Sequence, residues 1–353
     1  MLVFLAVFAV VATVTSFILM RRRDKSEVGR IGAYTLKSLI GEGGFAHVYL
    51  ANHALLKRPT AVKVLKQDQM NARNLGRFER EVQLASSLTH PNTIGIYDYG
   101  SSDDGHFYYA MEFIKGLTIQ ELIELDGPQT PERVTWILKQ VCASLREAHS
   151  KGLIHRDIKP QNIMLCRRGG EYDTVKVLDF GLARNLDETS SNRVTETQLL
   201  IGTPHYIAPE RIVDPNCMDP RTDIFSLGIL AYYMLTGSEP YDAADSMDAL
   251  AQTMNRSARR PSEQASSEIP YVLDRLVQEC HSRTMAERPS SIDDVMKVLG
   301  DIRFADSWSA SRAAAWWASH QAAVSATMER VASSSGSERT TATLVRPLLS
   351  KQS

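Results

Sequence analysis

Cysteine is scarce in this sequence: Cys142, Cys166, Cys217 and Cys280 are the only four, far apart, with no Cys-x-x-Cys pair and no Cys/His cluster. That spacing gives no footing for a zinc site or a redox couple, and reduced thiols of a cytoplasmic domain are the simpler reading. A surplus of one charge is also missing. Lys and Arg number 40 against 41 Asp and Glu, a formal net charge of −1, so no global field favours nucleic acid or an acidic polymer as partner. No internal repeat is visible, and 353 residues are enough to bury a full core as one large domain or two lobes.

The first twenty residues, Met1 to Met20, lack charge altogether, and Arg21, Arg22 and Arg23 follow at once. A helix rising about 1.5 Å per residue over that length matches a hydrocarbon core of about 30 Å. A cleaved signal peptide carries positive charge before its apolar run, whereas here it comes after. A buried core helix is rarely apolar all round and then ended by three arginines. The expectation is therefore a transmembrane helix over 1–20 and a juxtamembrane linker over 21–33. Arginine beside the span favours a cytoplasmic location for everything that follows.

From Tyr34 to about Arg303 the pattern is that of one globular unit. Strand-like alternation marks Tyr34–Ile40, Val48–Ala51, Ala61–Leu65, Ile94–Tyr99 and His106–Phe113. A single helical pattern, Leu75–Leu88, interrupts them and stops at His90-Pro91-Asn92. Beyond Gly116 helices prevail, for example 131–150, 221–236 and 271–281. The fold class predicted is α+β and bilobal: a small lobe with a five-stranded antiparallel sheet and one main helix, then a mostly helical large lobe. Residues 304–331 are rich in Ala and hold Trp308, Trp316 and Trp317. A helix there could pack on the large lobe or lie at a membrane interface. Residues 332–353 have the composition of a disordered tail.

Several stretches carry chemistry. Ile40-Gly41-Glu42-Gly43-Gly44-Phe45-Ala46-His47-Val48 joins the first two strands, and its glycines let backbone N–H groups approach phosphates. Alone, such a hairpin is as often a tight turn. Lys63 lies mid-strand in Ala61-Val62-Lys63, where burial calls for an anionic partner; Glu81 on the following helix is the candidate. Then come His155-Arg156-Asp157-Ile158-Lys159-Pro160-Gln161-Asn162 and, 17 residues past Asn162, Asp179-Phe180-Gly181.

These signatures, in this order and spacing, resemble the eukaryotic-type (Hanks-type) protein kinases, most of all their bacterial membrane-bound members. The resemblance covers about Tyr34 to Arg303. It implies ATP and Mg2+ as cofactors, protein substrates, and transfer of a γ-phosphate to hydroxyl groups. Asp157 is expected to accept the hydroxyl proton, Lys159 to offset charge on the transferring phosphate, and Asn162 and Asp179 to ligate magnesium. Lys63 is expected on the α- and β-phosphates, directed by Glu81. By the same resemblance Val48, Ala61 and Met164 enclose the adenine, Met111 guards the back of its pocket, and Glu112 to Ile114 form the hinge.

Lys159 and Thr203 point to serine/threonine rather than tyrosine specificity. Arg156 before the catalytic aspartate implies activation by phosphorylation, with Thr195 and Thr197 as the expected sites. A phosphate there adds about −1.5 to −2 charges for Arg156 and other basic groups to pair with. Ala208-Pro209-Glu210 with Arg288, and Asp223, have structural counterparts in the family. Departures are Ala46 for the third glycine, Phe225 for tryptophan, and Ala85 where a larger apolar residue is usual. Among bacterial relatives small lobes pair back to back, so a homodimer is allowed for. The alternative, a pseudokinase scaffold, predicts loss of Lys63, Asp157 or Asp179, and none is lost.

Overall fold

The computed structural model describes residues 29–44, 46–66, 72–102, 104–180 and 204–333. The apolar segment 1–20, Phe45, Thr195, Thr197, Thr203 and the tail from 334 lie outside the described residues. Among the described residues no helix is long and apolar enough to cross a membrane.

The small lobe is built on a sheet of six strands rather than five. Strands β1 (Gly29–Ile31), β2 (Tyr34–Glu42), β3 (Ala46–His53), β4 (Pro59–Leu65), β5 (Ile96–Ser101) and β6 (Phe107–Glu112) are ordered β1-β2-β3-β4-β6-β5, all antiparallel. The extra strand falls in the stretch read as linker. Gly32, at φ 52°, makes the turn back into β2, and any side chain there would run into the Tyr108 hydroxyl. Three residues at a sheet edge leave too short a pattern to recognise in advance.

Strand β4 shows why the alternation works. Val62 and Val64 join Tyr34, Leu36, Tyr49, Tyr108 and Ala110 in a cluster on the outer face. Ala61 and Leu65 point inward, to the core that continues into the large lobe. Lys63 shares that inner face, paired in register with Val48 of β3 and Tyr109 of β6. Helix α1 (Ala72–Ser86) closes this face with Phe78, Val82 and Ala85, spaced one turn apart and almost fully buried. Burial of Phe78 or Val82 stabilises by about 1.5–3 kcal/mol each.

The large lobe holds α2 (Ile119–Asp126), α3 (Pro131–Ser150), α4 (Pro209–Val213), α5 (Arg221–Thr236), α6 (Ser246–Asn255), α7 (Tyr271–Cys280) and α8 (Ile292–Asp301). It also carries a second antiparallel sheet that the sequence pattern did not reveal: β7 (Gly116–Thr118), β8 (Ile163–Arg168) and β9 (Glu171–Val177), in the order β7-β8-β9. Gly116 is needed because a Cβ there would strike the Leu165 carbonyl of β8. Helix α2 starts at a capping box between Thr118 and Glu121. Helix α3 starts with Thr130 as cap and Pro131 in its first turn. Helix α5 is buried on every side and forms the centre of the lobe. Helices α9 (Ala310–Ser319) and α10 (Gln321–Ser333) end the described chain.

Candidate active site

Between the lobes the second sheet ends at Val177, and the next three residues enter the cleft. Asp179 stands there with a left-handed backbone, φ 51°. Its Oδ2 lies 2.9 Å from Lys63 Nζ and its Oδ1 accepts the Tyr109 hydroxyl at 2.8 Å. Burial by itself would push the Asp179 carboxyl up. The Lys63 charge, with hydrogen bonds from Lys63 and Tyr109, outweighs it and holds the pKa below the ordinary carboxylate value. Burial, reinforced by the Asp179 charge, pushes the Tyr109 phenol well up, so it remains a donor.

Asp157 sits on the loop between α3 and β8. Lys159 Nζ is 2.9 Å from its Oδ2, and Asn162 Nδ2 donates to the same oxygen at 2.8 Å and to the Asp157 carbonyl at 2.7 Å. The loop is fixed from below by Asp223 of α5, which is fully buried. Asp223 accepts from the backbone N–H groups of His155 (2.8 Å) and Arg156 (2.7 Å) and contacts His149 Nε2 at 2.8 Å. Arg156, at φ 62°, needs that support for a non-glycine left-handed turn.

His155 connects the loop to the segment after β9. The Asp157 N–H donates to its Nδ1 at 3.2 Å, which leaves Nε2–H to donate to the Leu178 carbonyl at 2.7 Å. Burial lowers the His155 pKa, in keeping with this neutral tautomer. Its ring packs on Phe180, centroids 4.6 Å apart, and Phe180 is itself buried. Sequence reasoning assigned no role to Tyr109 or His155. Their parts depend on strand register and on a ring contact, and neither leaves a local signal.

One expected pair is corrected. The sequence suggests Lys63 with Glu81, but the structure pairs Lys63 with Asp179, and Glu81 Oε1 with Arg156 Nη1 at 3.7 Å. The same four charged groups are near the cleft, with partners exchanged. The reason is geometric: Asp179 offers Lys63 an oxygen at hydrogen-bonding distance, and Arg156 offers Glu81 a cation from the loop below.

The glycine-rich turn closes through Gly43 N–H to the Ala46 carbonyl (2.9 Å). Glu42 and His47 face each other across it, His47 Nε2 3.3 Å from Glu42 Oε1. His47 is buried, and that burial, followed by the Lys66 charge, lowers its pKa despite Glu42. Gly41 has Val48 as its closest side-chain neighbour. Ile40, Val48 and Ile114 pack against the main core, which includes Ala46, Ala61 and Met111, while Met164 is half-buried opposite Thr118. Glu112 ends β6. Its N–H donates to the Gly95 carbonyl at 2.8 Å, so a base bonded at this residue must use its carbonyl oxygen. Its carboxylate pairs with Lys176 at 3.0 Å and with Arg168, joining the end of β6 to the large-lobe sheet.

Magnesium would find a hard carboxylate in Asp179 and an amide oxygen in Asn162, whose nitrogen is directed at Asp157. Among the described residues no group of three or more His, Cys, Asp or Glu could hold a metal alone. A site with so few protein ligands fits an ion that keeps waters and takes substrate phosphates as its remaining ligands. Farther out, Arg288 grips Glu210 with both guanidinium nitrogens, at 2.8 and 2.7 Å, fixing the end of the segment that follows Asp179.

A sheet lobe and a helical lobe face each other across the pairs Lys63–Asp179 and Lys159–Asp157, a two-lobed architecture. The solved kinase domain of Mycobacterium tuberculosis PknI has the same fold, with a TM-score of 0.60, 23% identity, and coverage of 77% of this chain and 97% of that one. Residues 34–299 match the protein kinase domain family, and the chain belongs to it. It is 34% identical over 280 residues to serine/threonine-protein kinase pkn3 of Myxococcus xanthus, covering 78% of this chain and 51% of that protein. It is 34% identical over 266 residues to PrkC of Bacillus subtilis, covering 75% and 39%. To PknB of Mycobacterium tuberculosis it is 39% identical over 212 residues, covering 59% and 33%. The matched region thus spans about half or less of these relatives' length.

Proposed function

We propose that this chain is a serine/threonine protein kinase that transfers the γ-phosphate of ATP to protein hydroxyl groups. The observation that carries this is the convergence of Lys159 and Asn162 on one oxygen of Asp157, with Asp179 and Lys63 across the cleft. ATP would supply the transferable phosphoryl group, and Mg2+ held by Asn162 and Asp179 would offset phosphate charge. Asp157, oriented by Asn162, accepts the proton of the substrate hydroxyl. Lys159 is close enough to follow that oxygen and offset the charge that develops beside it. Asn162 and Asp179 supply hard oxygens for the metal, and Lys63 neutralises phosphate oxygens.

In the arrangement seen, Lys63 and Asp179 neutralise each other. Engagement of both with nucleotide therefore exchanges partners, freeing Asp179 and allowing Glu81 to turn from Arg156 to Lys63. A phosphate on Thr195 or Thr197 would compete with Glu81 for the Arg156 guanidinium, which links loop phosphorylation to the exchange. The apolar run 1–20 followed by three arginines supports single-pass anchoring with the kinase domain in the cytoplasm. Proteins are the substrates this reading implies, and pairing of small lobes remains part of it as a homodimer.

Incubating the chain with γ-labelled ATP, Mg2+ and a protein acceptor, then separating phosphoamino acids, tests the proposal. Phosphoserine and phosphothreonine are expected. Label confined to phosphotyrosine, or nucleotide binding without transfer as in a pseudokinase, would refute it.

A further inference from the structure

The tryptophan-bearing end of the chain docks on the protein. Trp308 and Trp317 donate their indole N–H groups to the two oxygens of Asp173, at 3.1 and 2.7 Å. Asp173 is fully buried on β9, and Arg133 of α3 pairs with it through Nε and Nη2, both at 2.9 Å. The Arg133 guanidinium also lies over the rings of Trp308 and Trp316, 4.9 and 4.0 Å from their centroids. Trp316 donates to Asp126 at 2.8 Å, and His320 stacks on Trp316 at 4.5 Å while facing Asp126 at 3.4 Å. Helix α9 is thereby anchored to the large lobe through buried charge and three indoles.

From that anchor α10 runs against β7, at the floor of the hinge, and against β2, the small-lobe strand that leads into the glycine-rich turn. Its inward face is Val324, Thr327 and Met328, the i, i+3, i+4 spacing of one helix side, with Val324 and Thr327 buried and Met328 half-buried. Val324 belongs to the continuous core against which Met328 and Ile40 of β2 also pack. One helix therefore touches both lips of the cleft.

We infer that α9 and α10 form a strap that holds β2 at a fixed distance from the large lobe and slows release of nucleotide. This rests on the reading of the cleft as a nucleotide site. Opening the cleft moves β2 relative to β7, and a helix packed on both must lose one of its contacts for that to happen. Arg133, Asp173 and the indoles are engaged with one another and with Asp126, so the strap acts by restraint and not by touching substrate.

The test uses the full chain carrying Val324→Glu and Met328→Glu, with Val324→Leu and Met328→Leu as the conservative control. Hydrogen exchange across 321–330 reports docking, and stopped-flow displacement of a fluorescent ADP analogue reports release. The Glu pair is expected to raise exchange in that segment and accelerate ADP dissociation by about fivefold or more, a typical coupling between sites, while the Leu pair does neither. Should the double variant misfold, Met328→Lys at the half-buried position carries the same expectation. Release of the helix with unchanged dissociation overturns the strap, as does a segment that already exchanges freely in the unvaried chain. Absence of saturable ADP-analogue binding by the unvaried chain would instead count against the nucleotide site itself, and the strap would fall with it.

Discussion

Asp179 and Arg156 are two of the four non-glycine residues with positive φ among the described residues, at 51° and 62°. Such backbone costs about 1–3 kcal/mol and persists where surrounding bonds over-determine it. Here the bonds are visible: Lys63 and Tyr109 on the Asp179 carboxylate, Asp223 on the Arg156 N–H. Tyr109 is the residue whose contribution can be isolated. Its hydroxyl favours the charged carboxylate, so Tyr109→Phe removes one influence that lowers the Asp179 pKa. That pKa then rises, and the acid limb of the kcat/KM profile, which reports free-enzyme groups, moves to higher pH. A profile that does not move would show that Tyr109 leaves Asp179 untouched.

At the scale of elements, Glu147 of α3 joins the lobes. Its carboxylate accepts the N–H groups of Thr89 and His90, in the connection between α1 and β5, and pairs with Lys151 at 3.0 Å. Burial opposes its ionisation, but these hydrogen bonds from Thr89, His90 and Lys151 prevail and bring its pKa down to about 2 from 4.5. A carboxylate depressed in the folded state adds stability that is complete above about pH 4.5 and fades as pH falls towards 2. Glu147→Gln is expected to cost about 1.5–3 kcal/mol at neutral pH, the range for hydrogen bonds to a charged group, and less near pH 3. Urea unfolding at the two pH values measures it. An equal loss at both would mean that the charge is not involved.

Elements with a strong period were legible in the sequence. Residues 131–150 and 221–236 appear as helices with those bounds. The alternation through Ala61 to Leu65 predicted β4 and placed Lys63 on it. Strands β1, β7, β8 and β9 were not legible; short edges such as Gly29–Ile31 and Gly116–Thr118 carry almost no pattern. The tail was only half-legible. Alanine-rich composition suggested a helix, but the partner that decides between membrane and protein is the buried Arg133–Asp173 pair, far away in sequence.

Over the whole molecule, Lys63 pairs with Asp179, and Lys159 and Asn162 converge on Asp157, while the expected Lys63–Glu81 pair is not formed. What sequence could not reveal is which of two pairings they adopt. Lys63–Glu81 and Lys63–Asp179 both join a lysine to a carboxylate, and only the placement of α1 and of Asp179 after β9 decides. The proposed loop phosphorylation would act on that choice through Arg156, which is Glu81's partner here. Replacing Thr195 and Thr197 together by alanine is expected to lower turnover about tenfold or more, corresponding to about 1.4 kcal/mol. Steady-state phosphorylation of an added protein substrate checks this, and unchanged turnover would remove the switch.

The account depends on Asp157 acting on the substrate hydroxyl rather than holding nucleotide. Single-turnover phosphoryl transfer and nucleotide affinity, measured side by side for Asp157→Asn, separate the two. Transfer should fall by about 10²–10⁴-fold, as for loss of a general base, with affinity almost unaltered. Transfer at the unvaried rate by Asp157→Asn would contradict the assignment of the site.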